Sequence, residues 1–401
     1  MNTQNLLAEA KELQDTLLSI RRDLHQHPEI GFDLPYTFDL VWKQLCDMGY
    51  EPQKCGKSGI VALVGPSEGK CILLRADMDA LPLQECADID YKSTTDGKMH
   101  GCGHDMHTAM LLGAAKLLKI HEADLSGTVK LVFQPAEEIF QGSQDMISSG
   151  VLENPKVDVA VMIHVVPGVP MPAGMIMVPA GGISMASCEQ YHITVTGKGG
   201  HGSTPHNSID PITAAAHIHL ALQEISSREI DANDFAVITT GHFEAGKTSN
   251  VIPDSADMWG TIRTTDEDYK VGTYIKKRME EITSSVATAL RCNAKISFYD
   301  YCPCMNINGE LAADAVCFTK EILGPGVLDM SLNPNNKPGG GSEDFAFMSH
   351  HVPTLGLFLT AGEIAKGYNF QQHNPQVVFD DSILYVGSAV YTQMALKWLN
   401  K

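Results

Sequence analysis

Ten consecutive residues, Lys98-Met99-His100-Gly101-Cys102-Gly103-His104-Asp105-Met106-His107, hold three histidines, a cysteine and an aspartate. Imidazole, thiolate and carboxylate are the side chains that bind zinc and neighbouring divalent metals. Gly101 and Gly103 let the backbone bend so that Cys102 and His104 can point at one spot. The Ala-rich apolar run over 108–118 reads as a helix. The cluster therefore lies on a loop entering a helix N-terminus, where the dipole favours a thiolate. His107 reads as structural, packing the helix start. A Cys-x-His spacing alone is equally consistent with a buried cysteine among incidental histidines, so the surrounding elements must decide.

Those elements are short strands alternating with helices. Residues 59–64 and 70–75 are apolar runs bounded by Gly and Pro, and read as strands. The second runs into Ala76-Asp77-Met78-Asp79-Ala80-Leu81-Pro82, and carboxylates at a strand's C-terminal end sit where open α/β sheets bind ligands. Residues 128–134 form another β-rich run, ending in Pro135-Ala136-Glu137-Glu138, and residues 157–163 a third, ending in His164. Three strand ends bearing groups fit for metal work suggest one shared site at a sheet edge. Before them, a helix is predicted over 6–25, ending at His25-Gln26-His27-Pro28-Glu29, and a second over 37–48, closed by Gly49. His25 and His27 either line the cleft or cap the first helix, with capping the simpler reading.

Around Ala180 the texture changes, and Pro179-Ala180-Gly181-Gly182 reads as a hinge. A strand over 189–196 leads to the flexible turn Gly197-Lys198-Gly199-Gly200-His201-Gly202-Ser203. A helix over 210–227 follows, with Asp210 as N-cap and Pro211 at its first position. Strands over 235–243 and 256–264, a long helix over 266–291 and a strand over 294–299 complete the stretch. This β-α-β-β-α-β order predicts a ferredoxin-like domain inserted at 187–303, splitting a first domain into 1–186 and 304–401. The returning part carries a helix over 309–323 and the glycine turn Gly339-Gly340-Gly341-Ser342-Glu343-Asp344-Phe345, which opens a short helix. It continues with a strand over 354–359, the loop Gln372-His373-Asn374-Pro375 and a closing helix over 381–399.

The 401 residues are long for one domain and comfortable for two. A net charge of 29 − 48 = −19 argues against nucleic acid and anionic membrane as partners. The ten cysteines are scattered, which is not the pattern of a disulfide framework. Cys302-Pro303-Cys304 is too tight for a zinc ribbon and reads as a loop. No apolar run is long enough to span a membrane, and the polar N-terminus lacks the core of a signal peptide, so a reducing cytoplasm is expected.

The groups that could act together are Cys102, His104, Glu138, His164 and His373. Five ligands exceed what a tetrahedral zinc needs and invite a two-metal reading. In Glu137-Glu138 adjacent side chains diverge, so one can bind metal while its neighbour moves a proton. His201 and His206 flank Ser203 and Pro205 on the glycine-rich turn. Asn250 and Arg263 lie further along, and an Arg there could clamp a substrate carboxylate bidentately.

Taken in order, Arg21-Arg22-x-Leu24-His25, Pro28-Glu29, the Asp77–Pro82 segment, Met99-His100-Gly101-Cys102-Gly103-His104-Asp105 and Gln134-Pro135-Ala136-Glu137-Glu138 resemble an M20-family amidohydrolase. So do Gly197-Lys198-Gly199-Gly200-His201, Ser249-Asn250-Val251-Ile252-Pro253, Gly260-Thr261-Ile262-Arg263, Ser342-Glu343-Asp344-Phe345 and His373-Asn374-Pro375. The resemblance is strongest to the N-acyl-amino-acid amidohydrolases, hippurate hydrolases and auxin-conjugate hydrolases, and runs from about Leu17 to the C-terminus. It implies an α/β fold: a mixed-sheet, zinc-peptidase-like catalytic domain with an inserted lid that usually forms a homodimer or larger assembly. It implies two divalent ions per subunit, zinc first, with manganese, cobalt or nickel as alternatives. The ligands would be Cys102, His104, Glu138, His164 and His373, with Glu137 as general base. His201 would reach the partner subunit's site and polarise the scissile carbonyl, while Asn250, Arg263 and Gly340 would contact substrate. The implied reaction is hydrolysis of an N-acyl amino acid, with a dipeptidase as the alternative. A non-catalytic binding or scaffold protein on this fold would be expected to lose Glu137 or several ligands, and this chain keeps all six. The chain departs from the broader family pattern in having Asp77 where a His ligand is usual, so Asp77 and Asp79 are assigned supporting roles. It also departs at Met106 and Gln372, both beside ligands and able to alter substrate choice.

Overall fold

A computed structural model describes residues 5–401. The chain divides into two compact units: Met1–Gly182 with Asn306–Lys337 and Glu343–Lys401, and Ile183–Met305 with Pro338–Ser342. The division at Gly182 falls in the hinge-like Pro179–Gly182 sequence. The segment Pro338–Ser342, placed by sequence within 304–401, stays with the smaller unit. There Gly339 N–H donates to Ser184 O (2.8 Å), Ala186 N–H to Gly339 O (3.0 Å), and the Ser342 hydroxyl to Ala186 O (2.8 Å).

The larger unit opens with α1 (Leu6–Glu12) and α2 (Gln14–Gln26). The single helix expected over 6–25 is broken at Leu13, whose N–H turns to Ala10 O at 3.0 Å in a tighter i→i−3 bond. α3 (Pro35–Asp47) begins at Pro35, where the missing N–H is not needed. Then come β1 (Gln53–Cys55), β2 (Gly59–Val64), β3 (Cys71–Asp77), α4 (His104–Ile120), β4 (Thr128–Gln134), β5 (Val159–Val166) and β6 (Ile176–Val178). With strands Val327–Asp329 and Thr354–Thr360 they form one sheet. Its order is β1-β2-β4-β3-β5, then Thr354–Thr360, β6 and Val327–Asp329. β2 is antiparallel to β4, whereas β3 runs parallel to both β4 and β5. Every residue of β3 and β4 is buried, as in parallel strands covered on both faces. Asp77 lies opposite Gln134 in register. β3, β4 and β5 thus deliver Asp77, the Pro135–Glu138 turn and His164 to the same edge.

The smaller unit is a four-stranded antiparallel sheet ordered Ala236–Ala245, Ser255–Thr264, Cys188–Thr196, Asn293–Cys302. With helices Pro211–Glu224 and Lys270–Ala289 this is the expected ferredoxin-like order. Tyr191, Ile193, Val195, Met258 and Ile262 form one core with Ile218, Leu222, Ile275 and Met279. Asp210 caps the first helix, accepting from Ile212 N–H at 2.9 Å. The second helix starts later than expected, because Tyr269 sits at φ +51° and the Asp266 carboxylate accepts Val271 N–H at 2.8 Å. Cys302, read as part of a loop, closes the last strand. Among the described residues no disulfide joins any cysteine, and no helix is long and apolar enough to cross a membrane.

Candidate active site

Gly103 adopts φ +92°, and a Cβ there would lie 2.5 Å from Val165 Cγ2, so only glycine fits where the loop turns into α4. This turn sets Cys102 and His104 on either side of it. Cys102 Sγ is 3.5 Å from His164 Nε2. The other His164 nitrogen, Nδ1–H, donates to Val165 O at 2.8 Å, which leaves the Nε2 lone pair facing the sulfur. Glu138 Oε1 lies 3.8 Å from His104 Nε2 and 3.5 Å from His373 Nε2. Glu137 Oε2 is 3.9 Å from the same His104 nitrogen. One atom from each of Cys102, His104 and His164 falls within 4.8 Å of the others, as it does for Cys102, Glu138 and His373, and for His104, Glu137 and Glu138. The larger unit therefore gathers all five candidate ligands and Glu137, with Cys102 common to two groups. Ala136 and His373 are held at φ +56° and +62°, an uncommon backbone state for residues with a side chain.

Supporting groups orient this cluster. The Asp79 carboxylate accepts the N–H of Glu137 (2.9 Å) and of Glu138 (3.2 Å), and lies 3.6 Å from His104 Nδ1. Asp77 accepts from Arg75 Nη1 and from His107 Nδ1, each at 2.6 Å. His107 Nε2 accepts Val165 N–H at 2.9 Å, so both its nitrogens are engaged at the helix start. Buried Arg75 also pairs with Glu343 Oε1 (2.9 Å) and Asp344 Oδ1 (3.0 Å). The Asp344 N–H in turn donates to Glu137 Oε1 at 3.3 Å. Residue-by-residue reading gave the Arg75–Glu343–Asp344 group no role. Its one signal was an arginine inside the otherwise apolar run 71–76.

His25 does not cap α2. It is buried, with Nδ1 2.7 Å from Asp105 Oδ2 and Nε2 3.2 Å from Glu85 Oε1. Each ring nitrogen thus faces a carboxylate, and Arg21 Nη2 also lies 3.3 Å from Nδ1. Arg21 Nε pairs with the same Asp105 oxygen at 2.9 Å, and Asp105 Oδ1 accepts Met106 N–H at 3.0 Å. The motif Arg21-x-x-x-His25 thus holds the residue that follows His104. His27, by contrast, donates from Nδ1 to Asp23 O at 2.8 Å and does finish the helix.

Burial pushes the Cys102 thiol and the Glu137 carboxyl well above their ordinary ranges, with Glu138 and Glu343 adding to this, respectively. Burial also lifts Glu138 to about 7, against the pull of His104. His164 is pushed well below the usual imidazole range by burial and by His107. A divalent cation would favour the deprotonated form of each of these groups. Among the described residues, both ring nitrogens of His104 and Glu138 Oε1 are buried without a hydrogen-bond partner. Unsatisfied buried atoms of this kind are rare. Asp77, Asp79, Glu137, Glu343 and Asp344 are all buried, and Arg75 pairs with Asp77, Glu343 and Asp344. The residues present fit bound divalent metal.

The remaining candidates lie in the smaller unit. The Gly200–His201 strand pairs with Val251–Ile252, and Gly202 N–H donates to Asn250 O at 2.8 Å, so His201 and Asn250 are neighbours. His201 Nδ1 accepts from Ser203 N–H (3.1 Å) and lies 2.8 Å from the Ser203 hydroxyl, which leaves the ring proton on exposed Nε2. Arg263 Nη1 donates to Gly340 O (2.9 Å) and Ser342 Oγ (3.1 Å). Gly340 therefore orients the arginine through its carbonyl.

Residues 73–397 match the family model Peptidase family M20/M25/M40. The chain is 37% identical over 398 residues to the hippurate hydrolase of Campylobacter jejuni, covering 98% of this chain and 100% of the relative. It is 36% identical over 399 residues to the IAA-amino acid hydrolase ILR1-like 4 of Arabidopsis thaliana, covering 98% and 88%. A crystal structure of a dinuclear metal-binding M20 peptidase from Bacillus subtilis superposes with a TM-score of 0.77 at 31% identity, covering 98% and 99%. The chain belongs to peptidase family M20, and within it is a metallo-amidohydrolase.

Proposed function

We propose that this enzyme hydrolyses the amide bond of N-acyl amino acids, releasing a free amino acid and a carboxylic acid. The carrying observation is the divergence at Glu137-Glu138. Glu138 faces His104 and His373, while Glu137 has one oxygen held by Asp344 N–H and the other turned toward the cluster. Two divalent ions would be held by Cys102, His104 and His164 on one side and by Cys102, Glu138 and His373 on the other. The thiolate favours zinc, and the remaining nitrogen and oxygen donors also suit manganese, cobalt or nickel. When bound, such ions lower the pKa of water to roughly 7 and polarise the substrate carbonyl.

Glu137 Oε2 takes the proton of the attacking water and delivers it to the leaving amine nitrogen. The hydrogen bond its backbone N–H donates to Asp79 and the one its Oε1 accepts from Asp344 N–H hold it in place for both transfers. His201 donates its Nε2–H to the oxyanion forming on the scissile carbonyl. Arg263 pairs with the substrate carboxylate, oriented by Gly340, and Asn250 contacts substrate beside His201. The names of the two relatives, hippurate hydrolase and IAA-amino acid hydrolase, support a conjugated amino acid as substrate. Exposed Ile212 and Leu220, with Phe243 on the edge strand Ala236–Ala245, support a homodimer through the smaller unit. A thiolate at the centre of the cluster must stay reduced, which supports the cytoplasm as its compartment.

The test is a hydrolysis screen of N-acetyl, N-benzoyl and N-lauroyl amino acids against dipeptides. It is run after exhaustive chelation and again with zinc, manganese or cobalt restored. N-acyl amino acids should be cleaved only with metal. Cleavage confined to dipeptides would make the enzyme a dipeptidase, and full activity in metal-free protein would refute the metal assignment.

A further inference from the structure

β5 outruns its neighbour. β3 pairs with it only as far as Arg75 opposite Met162, so the amides further along that side of β5 need other partners. Side chains supply them. Ile163 N–H donates to the Tyr391 hydroxyl oxygen (2.8 Å) and Val165 N–H to His107 Nε2 (2.9 Å). The Val165 carbonyl accepts two donors, His164 Nδ1–H at 2.8 Å and the side-chain amide of Gln372 at 3.0 Å. A carbonyl partner fixes which way the Gln372 amide faces, since only its nitrogen can donate.

Gln372 precedes His373, the one exposed residue among the five candidate ligands. That side chain is 55% exposed and, among the described residues, makes no hydrogen bond from its ring. What places it is its loop, held at a positive φ by three ties. His373 N–H donates to Gly101 O (2.9 Å), Cys86 N–H donates to Pro375 O (2.7 Å), and Gln372 reaches Val165 O. Only the last is made by a side chain. It also connects the His373 loop to the carbonyl that orients His164.

We infer that Gln372 is a positioning residue for the metal position formed by Cys102, Glu138 and His373, an inference that rests on the two-metal reading above. The effect is selective. Without the Gln372 amide the His373 loop loses its tie to β5, whereas His164 keeps its own bond to Val165 O. Partners of this kind are typically worth about 10–100-fold in metal affinity.

The experiment titrates metal-free full-length protein with Zn²⁺ against a chromophoric chelator. A parallel titration with Co²⁺ follows thiolate charge-transfer absorption. Gln372→Leu and Gln372→Met keep the side chain's size without its donor, and thermal midpoints of the metal-free variants are measured alongside. Wild type should take up two ions. Each variant should bind the first with wild-type affinity and the second about 10–100-fold more weakly, with the midpoint unchanged. Two ions at full affinity in both variants would overturn the inference. So would equal weakening of both ions, or a lowered midpoint accompanying it, because a general structural role predicts those. Uptake of fewer than two ions by wild type would instead overturn the two-metal reading, and the inference with it.

Discussion

Glu137 and Glu138 are adjacent, have both backbone N–H groups held by the Asp79 carboxylate and both face His104 Nε2, yet Glu138 also faces His373 whereas Glu137 accepts Asp344 N–H. Glu137→Gln should therefore keep metal content near wild type while hydrolysis falls by at least ~10²-fold, since an amide cannot accept the water's proton. Normal turnover, or loss of metal instead, would reverse the roles of the pair. Cys102 belongs to both proposed metal positions, so Cys102→Ser should lower metal stoichiometry and activity together, read by elemental analysis. Trapping an acyl-thioester on Cys102 would show a nucleophile rather than a ligand. These residues were legible because metal-binding side chains were packed into one glycine-bearing loop and into strand ends. Asp79 and Gln372 were only partly so. Their contribution runs through backbone amides and carbonyls contributed by other segments, and no local pattern marks such a bond.

The elements that carry the site were legible where burial enforces periodicity. The apolar runs of β3, β4 and β5 and the order of the inserted domain follow from their patterns, whereas the three-residue strands β1, β6 and Val327–Asp329 are too short to have one. Less visible was how the elements are tied together by charge. α2 reaches α4 through Arg21, His25 and Asp105, and β3 reaches the Glu343-Asp344 turn through Arg75. Each tie joins residues more than 75 positions apart, so spacing says nothing of it. The buried Arg75 guanidinium pairs with all three of the buried carboxylates Asp77, Glu343 and Asp344. Replacing it with methionine fills the space but takes the guanidinium away from three buried carboxylates, and breaking a buried pair on one side typically costs about 3–5 kcal/mol. Denaturant unfolding of metal-free Arg75→Met should show a loss of that order. A midpoint near wild type would mean the carboxylates find their protons or partners elsewhere.

At the scale of the whole molecule, the five candidate ligands and Glu137 belong to the larger unit and His201 to the smaller. We propose that His201 serves the partner subunit's site across the dimer. Its local geometry suits the part, because Ser203 occupies Nδ1 and leaves Nε2–H exposed as a donor. Losing one oxyanion donor typically costs about 10²–10³ in turnover, so His201→Ala should be nearly inactive with its metal intact. Mixing it with Glu137→Gln separates the two routes by which a smaller-unit residue can meet the cluster. If His201 acts across the dimer, each heterodimer contains one site that combines an intact Glu137 with an intact His201. Random exchange makes about half of the dimers mixed, so activity should recover to roughly a quarter of wild type when the sites are independent. If His201 acts within its own chain, every site in the mixture lacks one of the two groups and nothing recovers. Subunit exchange, verified by mass-tagged chains, followed by no return of activity would exclude the exchange of His201 between subunits.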